Sequence, residues 1–420
     1  MKVLVVGSGG REHAVVRKLA ENKEIEHIYC APGNGGISVQ ATPVEIKATD
    51  IDSMVAFAKN EGIDFAVVTP DDPLVLGMAD AMEEAGIPAF GPSKKAAQIE
   101  GSKVFAKNLM KKYGIPTAKY EVFDDPAQVI DYIERENRFP AVIKADGLAL
   151  GKGVIIAQNL EEAKEAVHSI MEDKIFGKSG NQVVVEEFLT GKEVSVLAFT
   201  DSHTVVPMVS SMDHKRAYDN DEGPNTGGMG TIAPSPYYTP EVAGRCMKEI
   251  FLPTIEAMKK EGCPFKGCLY FGLILTEQGP KVIEYNCRFG DPETQVVLPL
   301  LKTDLFRIMR AVRDEHLSEL DIQWSDGAAA CVVLASGGYP KKYETGFPIE
   351  GLNERGEHPD VIVYHAGTKR QDSKFLTAGG RVLGITGLGQ NLSQALEKAY
   401  GAVKEITFPK AHYRTDIGKK

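Results

Sequence analysis

Residues 283–295 read Ile283-Glu284-Tyr285-Asn286-Cys287-Arg288-Phe289-Gly290-Asp291-Pro292-Glu293-Thr294-Gln295. Val282, Ile283 and Tyr285 are β-formers, so the string opens as a strand. Side chains alternate along a strand, which puts Glu284 and Asn286 on one face. A carboxylate beside an amide oxygen makes a pair of hard ligands, suited to Mg²⁺ bridging phosphates. Arg288 follows and can fork onto a carboxylate or a phosphate. Asp291 and Glu293 then flank Pro292. Metal ligands, cation and acids in so short a span point to phosphoryl transfer involving an anionic substrate. A lone Glu-x-Asn would read as a polar strand edge with a solvated turn. The thirteen residues together do not.

Upstream, Leu269–Thr276 and Lys281–Asn286 form a hairpin, preceded by a helix over 240–260. The texture between 140 and 209 is also that of hairpins. Ala141–Lys144 leads through a glycine loop to Gly153–Ile156. A helix over 160–171 then separates these strands from Val183–Glu187, and strands follow at Glu193–Phe199 and Thr204–Val209. Residues 213–236 are rich in Gly, Pro and Asn and read as a long irregular segment. Inside a compact domain such loops are usually functional.

The N-terminal hundred residues have a different rhythm. The buried strand 2–6 turns through Gly7-Ser8-Gly9-Gly10 into a helix. A strand from Ile25 to Cys30, another over Asp64–Val68, a helix from Leu74 to Ala85 and a short strand near Phe90 follow. Strands alternating with helices predict a doubly wound sheet. Gly91-Pro92-Ser93 marks a boundary, and a helix from Lys94 onward carries Lys103. Past Trp324, strands at 328–334, 361–364 and 381–385 and a helix over 393–404 predict a small α/β C-terminal domain.

Composition excludes several classes. The 420 residues are 25% charged and 43% hydrophobic, ordinary for a globular protein. A net charge of −10 argues against a nucleic-acid scaffold. No apolar run reaches the length of a membrane span. The six cysteines form no CxxC pair, and residues 1–6 are too short for a signal h-region, so reduced thiols and a cytoplasmic location are expected. No interface signal stands out, and a monomer is the default.

Two motifs fail their obvious readings. Gly7-x-Gly9-Gly10-Arg11-Glu12 puts Glu12 where a dinucleotide fingerprint needs its third glycine. The glycines still expose N–H groups at a helix N-terminus, a site for a sugar phosphate. Lys144-Ala145-Asp146-Gly147-Leu148-Ala149-Leu150-Gly151-Lys152-Gly153 has the wrong spacing for a Walker A loop, and Gly153 stands where Ser or Thr should. A glycine flap closing over phosphates fits better, with Lys144 aimed at the α- or β-phosphate. The backbone at Glu186-Glu187-Phe188-Leu189 can pair with an adenine edge, and Glu193 with ribose hydroxyls. Taken alone, these acids read as a solvated edge. Lys215 and Arg216 can neutralise a triphosphate, and Asn225 can bind a phosphate oxygen. His214 reads as a hydrogen-bonding spacer.

In order along the chain stand GSGGREHA (7–14), APGNGG (31–36), GPS (91–93), EGSK (100–103), IKADGLALGKGV (143–154), VEEFLTGKE (185–193), DHKRAYDNDEGPNTGGMG (213–230), IEYNCRFGDPETQ (283–295), HAGT (365–368) and GGRVLG (379–384). Together they resemble the glycinamide ribonucleotide synthetases, ATP-grasp enzymes of purine biosynthesis. The resemblance covers essentially the whole chain. It implies ATP-driven joining of glycine to 5-phosphoribosylamine through an acyl phosphate. It implies Mg²⁺ or Mn²⁺ on Glu284 and Asn286. It implies ATP contacts from Lys103, Lys144, Gly151, Gly153, Glu186, Glu187, Phe188, Leu189, Glu193, Lys215, Arg216 and Asn225. Arg288, Asp291, Glu293 and Lys152 would be catalytic. Gly9, Gly10, Arg11, Asp213, Arg288 and Pro292 would bind substrate.

The implied organisation is a doubly wound domain over 1–100, an ATP-grasp domain over 101–325 with a lid over about 117–190, and a C-terminal domain over 326–420. The chain departs from the family at Thr69-Pro70-Asp71, where Asp71 replaces the usual Glu. It departs again on strand 269–276, which has no carboxylate and so leaves the metal leaning on ATP oxygens. A different ATP-grasp ligase would share the flap but not GPNTGGMG. A nucleotide sensor would not need Glu284, Asn286 and Arg288 together.

Overall fold

The computed structural model describes residues 1–148 and 153–419. Gly151 and Lys152, expected in the flap, lie outside the described residues.

The N-terminal strands pair in parallel, in the order Thr42–Pro43, His27–Pro32, Lys2–Gly7, Phe65–Val68, Ala89–Phe90. Val3 to Val6 have no exposed surface, as a central strand covered on both faces requires. The order reverses at Lys2–Gly7, which opens a crevice at the carboxyl ends of the strands. Gly7 and Asp71 stand at that end. The helix expected over 74–85 is two, Asp71–Leu76 and Met78–Glu84. Gly77 at φ +102° separates them, a conformation that cannot continue a helix. The helix expected from Lys94 is likewise broken. Ser102 is extended, and its Oγ caps the helix Lys103–Tyr113 by accepting from the Phe105 amide at 3.0 Å.

Two four-stranded antiparallel sheets follow. The first runs Tyr120–Phe123, Val183–Glu187, Ala141–Ala145, Val154–Ala157. Its helices Pro126–Glu136 and Leu160–Val167 close a core of its own, including Ile133, Ile143 and Val183. The second runs Val205–Pro207, Lys192–Asp201, Lys266–Thr276, Gly279–Asn286. Its side chains, among them Val196, Leu197, Phe199 and Phe271, join the same apolar clusters as Leu4 and Val5 of the N-terminal sheet. The second sheet is therefore built into the N-terminal unit, and the first is not.

The 213–236 segment is less irregular than expected. Met212–Asp213 and Gly230–Ala233 add to the C-terminal sheet through Ala328–Ser336. That sheet continues with Arg381–Gly389 and Ile362–His365, under the helix Leu392–Glu405. Between the two short strands stands a hairpin of Arg216–Tyr218 and Glu222–Asn225. All six cysteines are buried and free. Among the described residues no helix is long and apolar enough to cross a membrane.

Candidate active site

The two antiparallel sheets face each other across a cleft of about 640 Å³, which the ends of the N-terminal strands and the 213–230 segment close off. Glu284 and Asn286 both line it, two residues apart on the strand beyond the register shift at Ile283. Glu284 is registered against Gly272, where a Cβ would stand 2.9 Å from its Cγ, so glycine there leaves room for the carboxylate. Lys215 Nζ lies 3.3 Å from Glu284 Oε1. That ammonium, with Lys144 and Lys103 behind it, holds the carboxyl down at about 2 against the opposing effect of burial. An ionised carboxylate beside an amide oxygen fits a hard divalent cation. No cluster of three or more His, Cys, Asp or Glu among the described residues could hold a metal alone. Remaining ligands would have to come from substrate oxygens.

The cations are pre-positioned by anions and carbonyls. Lys144 Nζ lies 2.9 Å from Glu186 Oε1 and donates to the Ile283 carbonyl at 3.3 Å. Lys107 Nζ takes the other oxygen of Glu186 at 3.0 Å and donates to Thr117 Oγ1 at 2.8 Å. Glu186 is thus buried between two lysines, not part of a solvated edge. Burial lowers the Lys107 ammonium to about 8. Lys103 Nζ donates to the Gly147 carbonyl at 2.7 Å. Glu187 turns the other way, accepting from the Lys119 amide at 2.9 Å. Phe188, Leu189, Glu193, Arg216, Asn225 and Gly153 also line the cleft.

At the opposite end Arg288 Nη2 bonds Glu100 Oε1 at 2.9 Å and lies 4.0 Å from Asp71 Oδ2. Its buried Nε has no partner among the described residues, which leaves a donor for a substrate anion. Asp71 therefore reaches the site despite its shorter side chain. Burial works against its charge, but Arg288 and Arg11 hold its carboxyl below the usual range. Asp291 is half-buried and is also held low, by Arg381 and Arg11, against the opposing effect of desolvation. Glu293 and Asp213 behave oppositely. Both are raised by burial, and the charge of Glu293 pushes Asp213 further. Two carboxyls in one dry corner resist joint ionisation. Ser195 Oγ donates to Glu293 at 3.3 Å and meets Tyr270 OH at 2.8 Å.

Four expected substrate contacts fall outside the lining of this cleft. Gly9, Gly10, Arg11 and Pro292 are not among the lining residues. The Gly9 amide is already taken, because Glu12 folds back to accept it, and Arg11 Nε bonds Glu12 at 2.7 Å. Glu12 therefore does not wedge helix from strand but fills the glycine turn. A Cβ at Gly9 would stand 3.2 Å from Asp291 Oδ2, and one at Gly10 2.5 Å from Gln295 Nε2. Pro292 packs against Gly228.

Sequence reasoning missed Lys107, Glu100 and Arg381. Lys107 follows Lys103 by four residues on one helix, a spacing that puts both on one face and could have found it. Arg381 Nη1 donates to the carbonyls of Gly227 at 2.6 Å and Asp291 at 2.8 Å. Nothing local to residue 381 signals that contact. His214 is the hydrogen-bonding spacer expected, with its Nδ1 3.2 Å from the Gly230 carbonyl.

Models of phosphoribosylglycinamide synthetase match the chain in three parts. The N domain matches residues 1–100, the ATP-grasp (A) domain 101–294 and the C domain 329–420. A phosphoribosylamine–glycine ligase of Caldanaerobacter subterraneus is 50% identical over 417 residues, 99% of each chain. One of Clostridium acetobutylicum is 46% identical over all of both. The crystal structure of the Thermotoga maritima phosphoribosylamine–glycine ligase superposes over the full length of both chains with a TM-score of 0.87 at 34% identity. The biotin carboxylase domain of Hydrogenobacter thermophilus 2-oxoglutarate carboxylase, solved with MgADP, ADP and bicarbonate, shares the fold. Its TM-score is 0.74 at 18% identity, over 98% of this chain and 91% of that one.

Proposed function

This chain belongs to the phosphoribosylglycinamide synthetase family and is an ATP-grasp phosphoribosylamine–glycine ligase, and we propose how its cleft divides that reaction among its residues. The observation that carries the proposal is the pairing of an ionised Glu284, ringed by Lys103, Lys144 and Lys215, with an Arg288 that keeps one buried donor open.

ATP lies with its adenine toward Glu186–Leu189 and its ribose toward Glu193. Lys103, Lys144, Lys215, Arg216 and Asn225 take the phosphates. Glu284 and Asn286 would hold Mg²⁺ or Mn²⁺. When bound, such an ion neutralises phosphate charge and polarises the transferring group. Arg288 orients the glycine carboxylate through its free Nε. A carboxylate oxygen then bonds to the γ-phosphorus as the bridge to the β-phosphate breaks and ADP leaves. The surrounding lysines offset repulsion between the two anions.

The phosphoribosylamine nitrogen next bonds to the glycyl carbonyl carbon, and the carbon–oxygen bond to phosphate breaks. The proton shed by nitrogen passes to the Asp213–Glu293 pair, whose raised affinity for protons suits them to accept it. Arg11, Asp71 and Asp291 shape the end of the crevice where the sugar phosphate would rest. Closure of the 120–187 sheet over the cleft would keep water from the acyl phosphate.

The test is ADP release with Mg²⁺, glycine and freshly made phosphoribosylamine, each omitted in turn. Release that needs all three supports the assignment. Release with another amino acid, or without the amine, overturns the substrate roles.

A further inference from the structure

The hairpin that carries Arg216 and Asn225 is poorly built to hold itself. Its strands meet at only two register positions, Arg216 with Asn225 and Tyr218 with Glu222, with an irregularity between them. Asn220, Asp221 and Gly223 sit at φ of 60°, 54° and 79°. A two-stranded ribbon this short is marginal by itself in water.

The end of the chain supplies what it lacks. Arg414 is wholly buried. Its Nη1 donates to the Arg216 carbonyl at 3.2 Å and to Asp221 Oδ1 at 2.9 Å. Its Nε and Nη2 fork onto Asp416, at 2.8 Å each. Asp416 in turn accepts from the Asn220 amide at 2.9 Å. The Thr415 amide and hydroxyl both reach Asp219. His412 Nε2 donates to the Ala217 carbonyl at 2.7 Å. At the far end, the Gly418 amide donates to His214 Nε2 at 3.1 Å. A Cβ on Gly230 would stand 2.7 Å from Ile417. Residues 412–418 thus run alongside the 214–230 segment.

Arg414 itself does not line the cleft. A buried guanidinium is tolerated only when paired, and apolar packing would hold two strands together at less cost. What the planar fork adds is geometry, because its donors are met only when Asp221, Asp416 and the 216 carbonyl stand in one arrangement.

We infer that residues 412–418, through Arg414, are a positioning element for the nucleotide, fixing the 216–225 hairpin so that Arg216 and Asn225 meet the phosphates. The inference rests on the reading of those two residues as ATP contacts. Steady-state kinetics of Arg414→Met, Arg216→Ala and Asn225→Ala, varying ATP and glycine separately and with thermal melting alongside, test both.

The expected result is a KM for ATP raised on the order of tenfold or more in Arg414→Met, an unchanged KM for glycine, and the same split in Arg216→Ala. A raised KM for ATP in Arg216→Ala and Asn225→Ala, with a normal one in a less stable Arg414→Met, overturns the inference alone. Normal values in Arg216→Ala and Asn225→Ala overturn the ATP contacts and the inference with them. Should Arg414→Met fail to fold, Asp416→Asn, which takes the charge from the carboxylate that the Arg414 fork holds, takes its place beside the other two variants. A raised KM for ATP in Asp416→Asn then supports the inference, and a normal one overturns it.

Discussion

Glu284 and Lys107 show how single charges are kept in working states. Glu284 owes its depressed carboxyl first to Lys215 and then to Lys144 and Lys103. The ordinary value is about 4.3. Its contribution to stability is therefore complete above that pH and is lost progressively as pH falls from there through about 2. At neutral pH it is an anion available to a metal. Glu284→Ala should lower the rate of ADP formation by at least about a hundredfold while its melting curve stays cooperative. Normal turnover in the folded variant would overturn the proposed role of Glu284 as a metal ligand.

Lys107 is the opposite case, a cation whose charge burial weakens. Its ammonium gives up a proton near 8 instead of near 10.5. Below that pH it holds Glu186, and above it the hold is lost while Lys144 alone remains. The KM for ATP should therefore rise as pH passes about 8. Lys107→Met should show that raised KM at every pH. The same variant should lose about 3–5 kcal/mol of stability in a denaturant titration, toward the lower figure because Lys144 still pairs with Glu186.

At the scale of elements, the site is held by short turns with no spare room. Gly228 sits at φ +112°, and a Cβ there would stand 2.5 Å from Pro292 Cδ and 2.7 Å from Asp213 Oδ1. Gly62 is also left-handed, at φ +65°, but a Cβ there would meet nothing within 4 Å. Gly62→Ala should cost about 1 kcal/mol and leave kinetics untouched. Gly228→Ala should cost more and also lower kcat/KM for glycine, because Asp213 and the Asp291-Pro292 turn must separate. Equal kinetics in the two variants would show that the turn does not position the reacting groups. The same scale explains the misread helices. Gly77 and Ser102 interrupt apolar periodicity that otherwise continues, and periodicity alone cannot register a backbone reversal.

At the scale of the molecule, the 120–187 sheet keeps its own apolar core, whereas the second antiparallel sheet shares clusters with the N-terminal domain. A body with a separate core can move without opening another. A non-hydrolysable ATP analogue should therefore slow amide exchange across 141–187 and leave the strands at 2–7 and 65–68 unchanged. Uniform protection, or none in the lid, would rule out closure of that sheet on the nucleotide.

The sequence by itself determined the strands, their alternation and the chemistry of each motif. Glu284 and Asn286 are on one face because strands alternate, and the run over 3–6 reads as a buried strand because it is apolar throughout. Local periodicity and residue type carry that information. Only the tertiary structure decided which charges meet. The two lysines on Glu186, the contact of Arg381 with Gly227 and Asp291, the closure of the Gly9 turn by Glu12, and Arg414 beneath the hairpin depend on side chains brought together by packing. Most join residues tens to hundreds of positions apart, and even Glu12 needed the fold to aim it inward. Ion pairs and burial act through space, and so the states of these groups became legible only when the chain had folded.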